Sequence, residues 1–256
     1  MILTVLEHGP SVPADRFVPW LTELPADPGQ VTIGLRVVRL WSGDPVPSLA
    51  DCGDGLLVLG GQQDAYDDDG SPWLPATRAL LAEAATGGLP TLGICLGAQL
   101  LAVATGGRVQ VAAPPGREAG VVEIRPRPAA AADALLGALA VGVPADHPGA
   151  AGVIAWMPSM HADAVVELPS GAVWLASSAL YPFQAFRIGS AWGVQFHPEV
   201  GLETFTAWAQ LHPEVDTGAV VAEYRAHDAE IAAGGRAIAH AFAALVRAGT
   251  LPPARA

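Results

Sequence analysis

One short motif has the residue types and spacing of a cysteine-based active site. Gly93-Ile94-Cys95-Leu96-Gly97 matches the Gly-x-nucleophile-x-Gly pattern of a nucleophile elbow, with cysteine as the nucleophile. In such an elbow a strand turns sharply into a helix, which strains the backbone of the nucleophile, and flanking glycines leave room for the turn. The helix N-terminus favours the thiolate, which is the reactive form, and the amide of Leu96 would point towards an oxyanion on the attacked carbonyl. We therefore predict that Cys95 is a nucleophile in acyl transfer.

A second motif, Gly193-Val194-Gln195-Phe196-His197-Pro198-Glu199, supplies a histidine and a carboxylate at the end of an apolar strand. A general base for Cys95 must be held rigidly within reach of the sulfur, as a histidine at a strand end can be. Pro198 favours an extended backbone at His197 and ends the strand ladder. Glu199 can return to the imidazole and fix its tautomer, which is the role of the third member of a catalytic triad. We predict that Cys95, His197 and Glu199 form such a triad.

The second cysteine and most of the other histidines lack such surroundings. Cys52, in Ala-Asp-Cys-Gly-Asp, is predicted to be a buried structural residue. The segment His212-Pro213-Glu214 repeats the His-Pro-Glu tripeptide, but it follows a predicted helix and not an apolar strand. We predict that five histidines are solvated or structural: His8, His147, His212, His227 and His240.

Both motifs need a sheet that brings them together. Apolar runs predict strands at residues 1–7, 32–40, 54–59 and 89–94, which alternate with helices at residues 14–24, 75–85 and 96–105. This alternation indicates βαβ units around a parallel sheet, with the elbow between the fourth strand and the third helix. From residue 109 to 173 the pattern loosens into short strand candidates, and three consecutive strands follow at 173–177, 184–188 and 191–196. After residue 200 the sequence is helical, with 219–246 the longest stretch.

The bulk composition favours a folded enzyme domain and excludes several classes of protein. Hydrophobic residues make up 51% of the 256 residues and charged residues 15%, which supplies a large core and excludes a disordered chain. A net charge of −12 with no basic run argues against nucleic-acid binding. Two isolated cysteines fit a reducing compartment, and we recognise neither a signal peptide nor an apolar run of about 18 residues. We therefore expect a cytoplasmic protein without a membrane segment.

Together the motifs resemble those of the class I (triad) glutamine amidotransferases, as in a stand-alone domain similar to the glutaminase domain of GMP synthase. Residues 92–102 and 193–199 carry the resemblance, which extends from about residue 53 to residue 200, and the order Cys…His-x-Glu is that of the family. The resemblance implies an α/β, flavodoxin-like fold in which helices flank a central, mostly parallel sheet. It also implies a domain over residues 1–200, on which residues 201–256 pack as a C-terminal helical extension.

The resemblance further assigns roles to residues beside the triad. Gly60 and Gly61 stand where the family has a glycine-rich strand end, so Gly60 would contact the substrate and Gly61 would offer a second oxyanion donor beside Leu96. Gln99, one helical turn after Cys95, matches the glutamine by which the family binds its substrate, and it shares a helix face with the nucleophile.

The sequence also matches and departs from the family at a loop near the pocket. His161-Ala162-Asp163 resembles the Ser-His-Gly-Asp loop of the family, which makes His161 and Asp163 candidate substrate-binding residues. Met160 replaces a small polar residue and Ala162 replaces a glycine, and we expect both changes to reshape the substrate pocket. Two further departures lie beside the glycine pair and in the elbow helix: Gln62 and Ala98.

The implied reaction is the release of ammonia from glutamine through a γ-glutamyl thioester on Cys95. No metal or other cofactor is implied, and the aspartate-rich loop at residues 64–69 lacks the glycine and glutamate placement of a calcium loop. Three interpretations stay open. The chain could be an amidotransferase or glutaminase whose ATP-dependent synthase is a separate chain, a γ-glutamyl hydrolase that uses the same triad, or a non-enzymatic interaction module. The predicted ligand is glutamine or another γ-glutamyl compound.

Overall fold

A nine-stranded sheet runs through the computed structural model, which describes residues 1–23, 31–140 and 155–249. In chain order its strands are β1 (Ile2–Glu7), β2 (Gly34–Arg39), β3 (Gly55–Val58), β4 (Thr91–Ile94), β6 (Glu118–Pro126), β7 (Ala155–His161), β9 (Val173–Ser177), β10 (Ala185–Ile188) and β11 (Ala191–Val194). Two further strands, β5 (Arg108–Gln110) and β8 (Ala164–Glu167), pair antiparallel with each other. The helices are α1 (Phe17–Thr22), α2 (Leu74–Gly87), α3 (Leu96–Ala104), α4 (Leu202–Gln210), α5 (Thr217–Ala226) and α6 (Asp228–Ala248).

The parallel half of the sheet has the order β2-β1-β3-β4-β11. This is the 2-1-3-4-5 order of flavodoxin-like folds, in which ligands bind outside the carboxyl ends of the strands. Ile94 of β4 pairs with Val194 of β11, so the chain leaves both strands at the same edge of the sheet. The predicted fold class is confirmed, and the two sequence motifs meet at this edge.

The antiparallel half of the sheet has the order β11-β10-β9-β6-β7. Its longest hairpin, β6–β7, falls in the region where the sequence shows only short strand candidates. Gly120 in β6 has a φ of 120°, and Pro158 interrupts the apolar run of β7. Both residue types weaken the sequence signal of a strand, and the pairing of β6 with β7 forms the hairpin nevertheless.

The core lies on both faces of the sheet because side chains alternate along each strand. Leu3 and Val5 of β1 face a cluster that contains residues of α1 and α6, whereas Leu6 faces a cluster that contains residues of α2 and α3. Leu57 and Val58 of β3 divide between the two clusters in the same way. Burial on both faces explains why these strands are almost continuously apolar.

Helix α6 is the one helix of the described residues that is long and apolar enough to cross a membrane, judged by length and composition alone. Its side chains Ile238, Phe242 and Val246 are fully buried in the cluster on the sheet. Packing in the core therefore accounts for the apolar sequence of α6. The sequence predicts residues 219–246 as one helical stretch, but the chain forms two helices, which meet at His227.

Candidate active site

The turn between β4 and α3 has the geometry of a nucleophile elbow. Cys95 lies between the last residue of β4 and the first of α3, with a φ of 51° that side chains rarely adopt. Its amide donates to the Val194 carbonyl at 2.8 Å, and its carbonyl accepts from the Gln99 amide at 3.0 Å. A Cβ atom at Gly93 would lie 2.5 Å from the Gly97 carbonyl oxygen, and one at Gly97 would lie 2.1 Å from a carbonyl oxygen of β3. Only glycine fits at either position.

His197 lies beside Cys95 and carries Glu199 behind it. The Nδ1 atom of His197 is 2.7 Å from Oε1 of Glu199, and both side chains are buried. Burial alone would lower the pKa of His197, but the charges of Glu199 and Cys95 and hydrogen bonds with both raise that pKa to about 10. At neutral pH the His197 imidazole is therefore protonated, and it lies between Glu199 and Cys95.

The segment that carries Glu199 is held by three hydrogen bonds to two other parts of the chain. The His197 amide donates to the Pro158 carbonyl of β7 at 2.8 Å. The Arg16 amide donates to the Glu199 carbonyl at 3.0 Å, and Asp15 accepts a 2.8 Å hydrogen bond from the Gly201 amide. These contacts fix the imidazole before any substrate binds.

The aromatic ring of Trp208 in α4 packs against His197 of the predicted triad. Its ring meets the edge of His197 with centroids 4.6 Å apart, and its indole N–H donates to the Ser11 carbonyl at 2.7 Å. The sequence predicts Phe205, Trp208 and Leu211 as one packing face of a helix. Phe205 and Trp208 are buried as predicted, but Leu211 is 58% exposed. The spacing of Phe205 and Trp208 along α4 predicts that both are buried, but it does not predict the contact of Trp208 with His197.

The glycine pair after β3 lies against the elbow. A Cβ atom at Gly60 would lie 3.1 Å from Cε1 of His197 and 3.5 Å from Cβ of Cys95, and one at Gly61 would lie 2.6 Å from the Leu96 side chain. The backbone amides of Gly61 and Leu96 donate no hydrogen bond to another described residue. Gly61 and Leu96, which carry the predicted oxyanion donors, line the same cavity as Cys95, and Gly60 lies against His197 and Cys95.

Gln99 lies next to the elbow but uses its amide nitrogen within the protein. Nε2 donates to the Asp163 carbonyl at 2.9 Å and to Oε1 of Gln195 at 3.2 Å. Both amide hydrogens are thus engaged, because a primary amide has two. The side-chain atom of Gln99 that is left to bind a substrate is therefore the amide oxygen Oε1.

The other two predicted substrate-binding residues differ in what they offer. Both ring nitrogens of His161 are engaged, Nδ1 with the Asp163 carbonyl at 2.9 Å and Nε2 with Oε2 of Glu118 at 3.2 Å. Oδ1 of Asp163 accepts from the Ala112 amide at 2.8 Å. Burial raises the pKa of Asp163, and the hydrogen bond from Ala112 opposes this. Both residues line the cavity, but both ring nitrogens of His161 are already used within the protein.

A buried carboxylate behind this loop has no motif that reveals it in the sequence. Glu118 accepts hydrogen bonds from Ser159, Ser178 and Gln184 as well as from His161. Burial raises the pKa of Glu118, but the hydrogen bonds from His161 and Ser178 outweigh it and leave the pKa below its ordinary value. The ionised carboxylate anchors the hairpin on which the loop is built.

The cavity above Cys95 has a volume of about 450 Å³. Besides Cys95, His197 and Gln99, its lining includes Met160 and Ala162, which depart from the family pattern, and Arg117. Oε1 of Glu214 accepts a 2.9 Å hydrogen bond from Nε of Arg117. His212, which the sequence predicts to be solvated or structural, also lines this cavity.

Cys52, His227 and His240 do not line this cavity. Cys52 is fully buried, and burial raises the pKa of its thiol to about 11, with Arg36 lowering and Asp51 raising it. His240 is exposed and hydrogen-bonds Glu23, and His227 stacks on Trp156. His147 lies outside the described residues.

His8 is a buried neutral histidine beneath the glycine pair. Its Nδ1 accepts a 3.0 Å hydrogen bond from the Trp73 indole, which places the proton on Nε2. A Cβ atom at Gly61 would lie 2.9 Å from the His8 side chain. Burial lowers the pKa of His8 to about 4, well below the ordinary value near 6.5.

The lowered pKa predicts a loss of stability in mild acid. Below about pH 6.5 the unfolded chain binds a proton at His8 that the folded chain does not accept until about pH 4. The free energy of unfolding should therefore fall by about 3 kcal/mol between these pH values because of His8. Denaturant unfolding at several pH values checks this: His8→Gln, which keeps an acceptor for Trp73, should flatten the curve, whereas the exposed-site control His240→Gln should not. Parallel curves for wild type and His8→Gln would contradict the prediction.

Comparisons of the sequence with known proteins point to one family. The family model described as glutamine amidotransferase class-I matches residues 30–212. A GMP synthase [glutamine-hydrolyzing] of Xanthomonas axonopodis pv. citri (strain 306) is 35% identical over 165 residues, which cover 63% of this chain and 28% of the relative. A GMP synthase of Thermomicrobium roseum is 37% identical over 150 residues, which cover 57% of this chain and 23% of the relative. This chain thus spans about a quarter of the length of these relatives.

Solved structures share the fold over nearly the whole chain. A glutamine amidotransferase from Methylobacillus flagellatus has a TM-score of 0.74 at 26% identity, over 99% of this chain and 96% of that one. Another, from Thermotoga maritima, has a TM-score of 0.75 at 20% identity, over 94% and 98% of the two chains. Because the family match spans most of the sequence, this chain belongs to the class I glutamine amidotransferase family.

Proposed function

We propose that the chain hydrolyses the side-chain amide of glutamine through a γ-glutamyl thioester on Cys95. The observation that carries the proposal is the arrangement of Cys95, His197 and Glu199 at a cavity also lined by Gly61 and Leu96, whose backbone amides donate no hydrogen bond to another described residue. Family membership and a complete triad support an enzyme over a non-enzymatic interaction module.

Each step of the reaction has a residue that can perform it. The Cys95 thiolate attacks the side-chain carbonyl carbon, and the amides of Gly61 and Leu96 stabilise the oxyanion by about 3–4 kcal/mol per donor. His197 then donates its proton to the leaving ammonia. The neutral imidazole takes a proton from the water that attacks the thioester, so glutamate leaves and the thiolate returns.

The released ammonia would serve a separate ATP-dependent synthase. The curated relatives are named glutamine-hydrolysing GMP synthases, and this chain aligns with only about a quarter of their length. We propose a cytoplasmic enzyme of this kind that binds neither nucleic acid nor membranes, in line with the net charge of −12. We also propose that residues 1–200 form the catalytic domain and residues 201–256 its helical extension, of which residues 250–256 lie outside the described part.

The decisive experiment combines ammonia release with capture of the intermediate. Wild-type protein incubated with glutamine should release ammonia and, after rapid acid quench, carry one glutamyl group on the peptide that contains Cys95. Mass spectrometry of the digested protein locates the adduct. If neither ammonia nor the adduct forms with glutamine or with any γ-glutamyl compound, the proposed reaction is wrong.

The second candidate function is hydrolysis of larger γ-glutamyl amides or peptides by the same triad. A cavity of about 450 Å³ falls in the range that holds ligands well above the size of an amino acid. Arg117 lines this cavity, and only its Nε atom is hydrogen-bonded to another described residue. The guanidinium could therefore bind a carboxylate of a γ-glutamyl peptide.

This second function makes a prediction for Arg117→Met. If γ-glutamyl peptides bind through Arg117, the variant should lose kcat/KM for γ-glutamyl dipeptides by roughly tenfold or more, the worth of a hydrogen bond to a charged group. The kcat/KM for glutamine should change much less. Arg125→Met, in an exposed ion pair with Glu123 of β6, is the matched control. An equal effect on both substrates would remove the support that Arg117 gives to peptide hydrolysis.

A further inference from the structure

We propose that Gln195 is a further catalytic residue, whose side-chain amide donates a hydrogen bond to the Cys95 sulfur and stabilises the thiolate. The proposal rests on the proposed function in taking Cys95 as the nucleophile. Nε2 of Gln195 lies 3.5 Å from Sγ of Cys95, and the Gln195 side chain is buried. The residue directly follows β11, and its own amide donates to the Gln184 carbonyl at 2.9 Å, so its backbone is fixed.

The orientation of the Gln195 amide follows from a chain of hydrogen bonds that begins at a backbone carbonyl. The Asp163 carbonyl oxygen can only accept, so the atom of Gln99 that faces it at 2.9 Å must be the nitrogen. That nitrogen also faces Gln195 at 3.2 Å, so the Gln195 atom there must be the oxygen. The nitrogen of Gln195 is then left to face the sulfur. Reversing either amide would place two acceptors or two donors against each other.

The start of this chain is itself anchored in the core. The Asp163 carbonyl also accepts from Nδ1 of His161, whose Nε2 meets the buried Glu118 carboxylate. Hydrogen bonds in such buried networks restrict the side chains, and the low local dielectric strengthens each bond. The donor from Gln195 is therefore in place before the sulfur acquires charge, which is the condition for effective electrostatic stabilisation.

Gln195 offers the sulfur a hydrogen-bond donor that does not depend on the protonation state of His197. His197 is hydrogen-bonded to Cys95 on one side and to Glu199 on the other. When the thioester hydrolyses, water adds to the carbonyl, its proton passes to His197, and the C–S bond breaks with its electron pair on sulfur. The sulfur thus becomes an anion, and Gln195 offers it an N–H throughout the cycle, including while the imidazole is neutral.

The test is the pH dependence of Cys95 alkylation by iodoacetamide in the full chain without substrate. Gln195→Met removes the donor, so alkylation at neutral pH should slow by roughly tenfold or more, and the half-maximal pH should rise by about one unit or more. Gln195→Glu keeps an acceptor for Gln99, places an oxygen against the sulfur, and should shift the profile in the same direction. Gln210→Met, at an exposed position of α4, is the matched control and should leave the profile unchanged. Cys52 stays silent because burial raises the pKa of its thiol to about 11.

A double-variant cycle tests the orientation argument. Gln99→Met frees the Gln195 amide to rotate, so it should shift the profile partly, and the Gln99→Met/Gln195→Met chain should behave like Gln195→Met alone. Wild-type profiles in both Gln195 variants would overturn the proposal. If those variants fail to fold, NMR of the wild type and of Cys95→Ala provides a second test. The side-chain amide proton of Gln195 should have a chemical shift further downfield in the wild type than in Cys95→Ala. Equal chemical shifts in the two proteins would overturn the proposal. Alkylation needs no glutamine, so these outcomes are independent of whether the chain hydrolyses it.

Discussion

Cys95→Ala is expected to fold like the wild type and to lose glutamine hydrolysis almost entirely. Removal of the nucleophile from a comparable triad lowers kcat by about a millionfold, because the other members act only through it. Alanine keeps the Cβ atom that packs against Gly60, so the strained turn at φ 51° is neither relieved nor worsened. Ammonia release, measured with a coupled assay, should fall to the rate of a protein-free blank.

The second cysteine supplies the control for this variant. Cys52 is fully buried, and its sulfur donates to the Ser48 carbonyl at 3.4 Å, apart from the residues that line the active-site cavity. Cys52→Ala should lose some stability and keep its kcat. A Cys95→Ala protein that still releases ammonia from glutamine would exclude the thioester mechanism, whatever else the cavity binds.

The elbow can be predicted from the sequence because its steric requirements are local. Gly93 and Gly97 each lie where a Cβ atom would strike a carbonyl oxygen, so the glycine spacing itself reports the close approach. His197 can be predicted for a similar reason, since it ends an apolar strand and is followed by Pro198. These features depend on residues a few positions apart in the chain.

The network behind the pocket could not be predicted, because its members come from distant segments. Glu118 and His161 meet only because β6 pairs antiparallel with β7, and Gly120 and Pro158 weaken the sequence signal of those two strands. His212 reaches the cavity after α4, although its tripeptide carries no sign of this in the sequence. The position of such residues depends on tertiary pairing, which local patterns do not encode.

Glu199→Gln should retain the fold and lower kcat by about ten-thousandfold, as the loss of the orienting carboxylate does in comparable triads. Glu199 is fully buried, and its Oε1 atom lies 2.7 Å from Nδ1 of His197. Its Oε2 atom is buried and has no hydrogen-bond partner among the described residues, so an amide nitrogen in that place breaks no existing bond. The variant therefore removes charge with little change of shape.

The pH dependence of the same variant separates charge from packing. Burial lowers the pKa of His197, while Glu199 is the largest of the influences that raise it to about 10, so removing that charge must lower the pKa. Since the folded pKa exceeds the ordinary value near 6.5, the pairing adds stability below about pH 6.5 and loses it as the pH rises to about 10. Between about pH 6.5 and pH 10, the free energy of unfolding of the wild type should therefore fall relative to that of Glu199→Gln. The pH above which activity declines should be higher for the wild type than for the variant.

Glu203→Gln, at an exposed position of α4, is the matched control. A Glu199→Gln enzyme within tenfold of wild type, with an unchanged pH profile, would show that His197 needs no carboxylate partner.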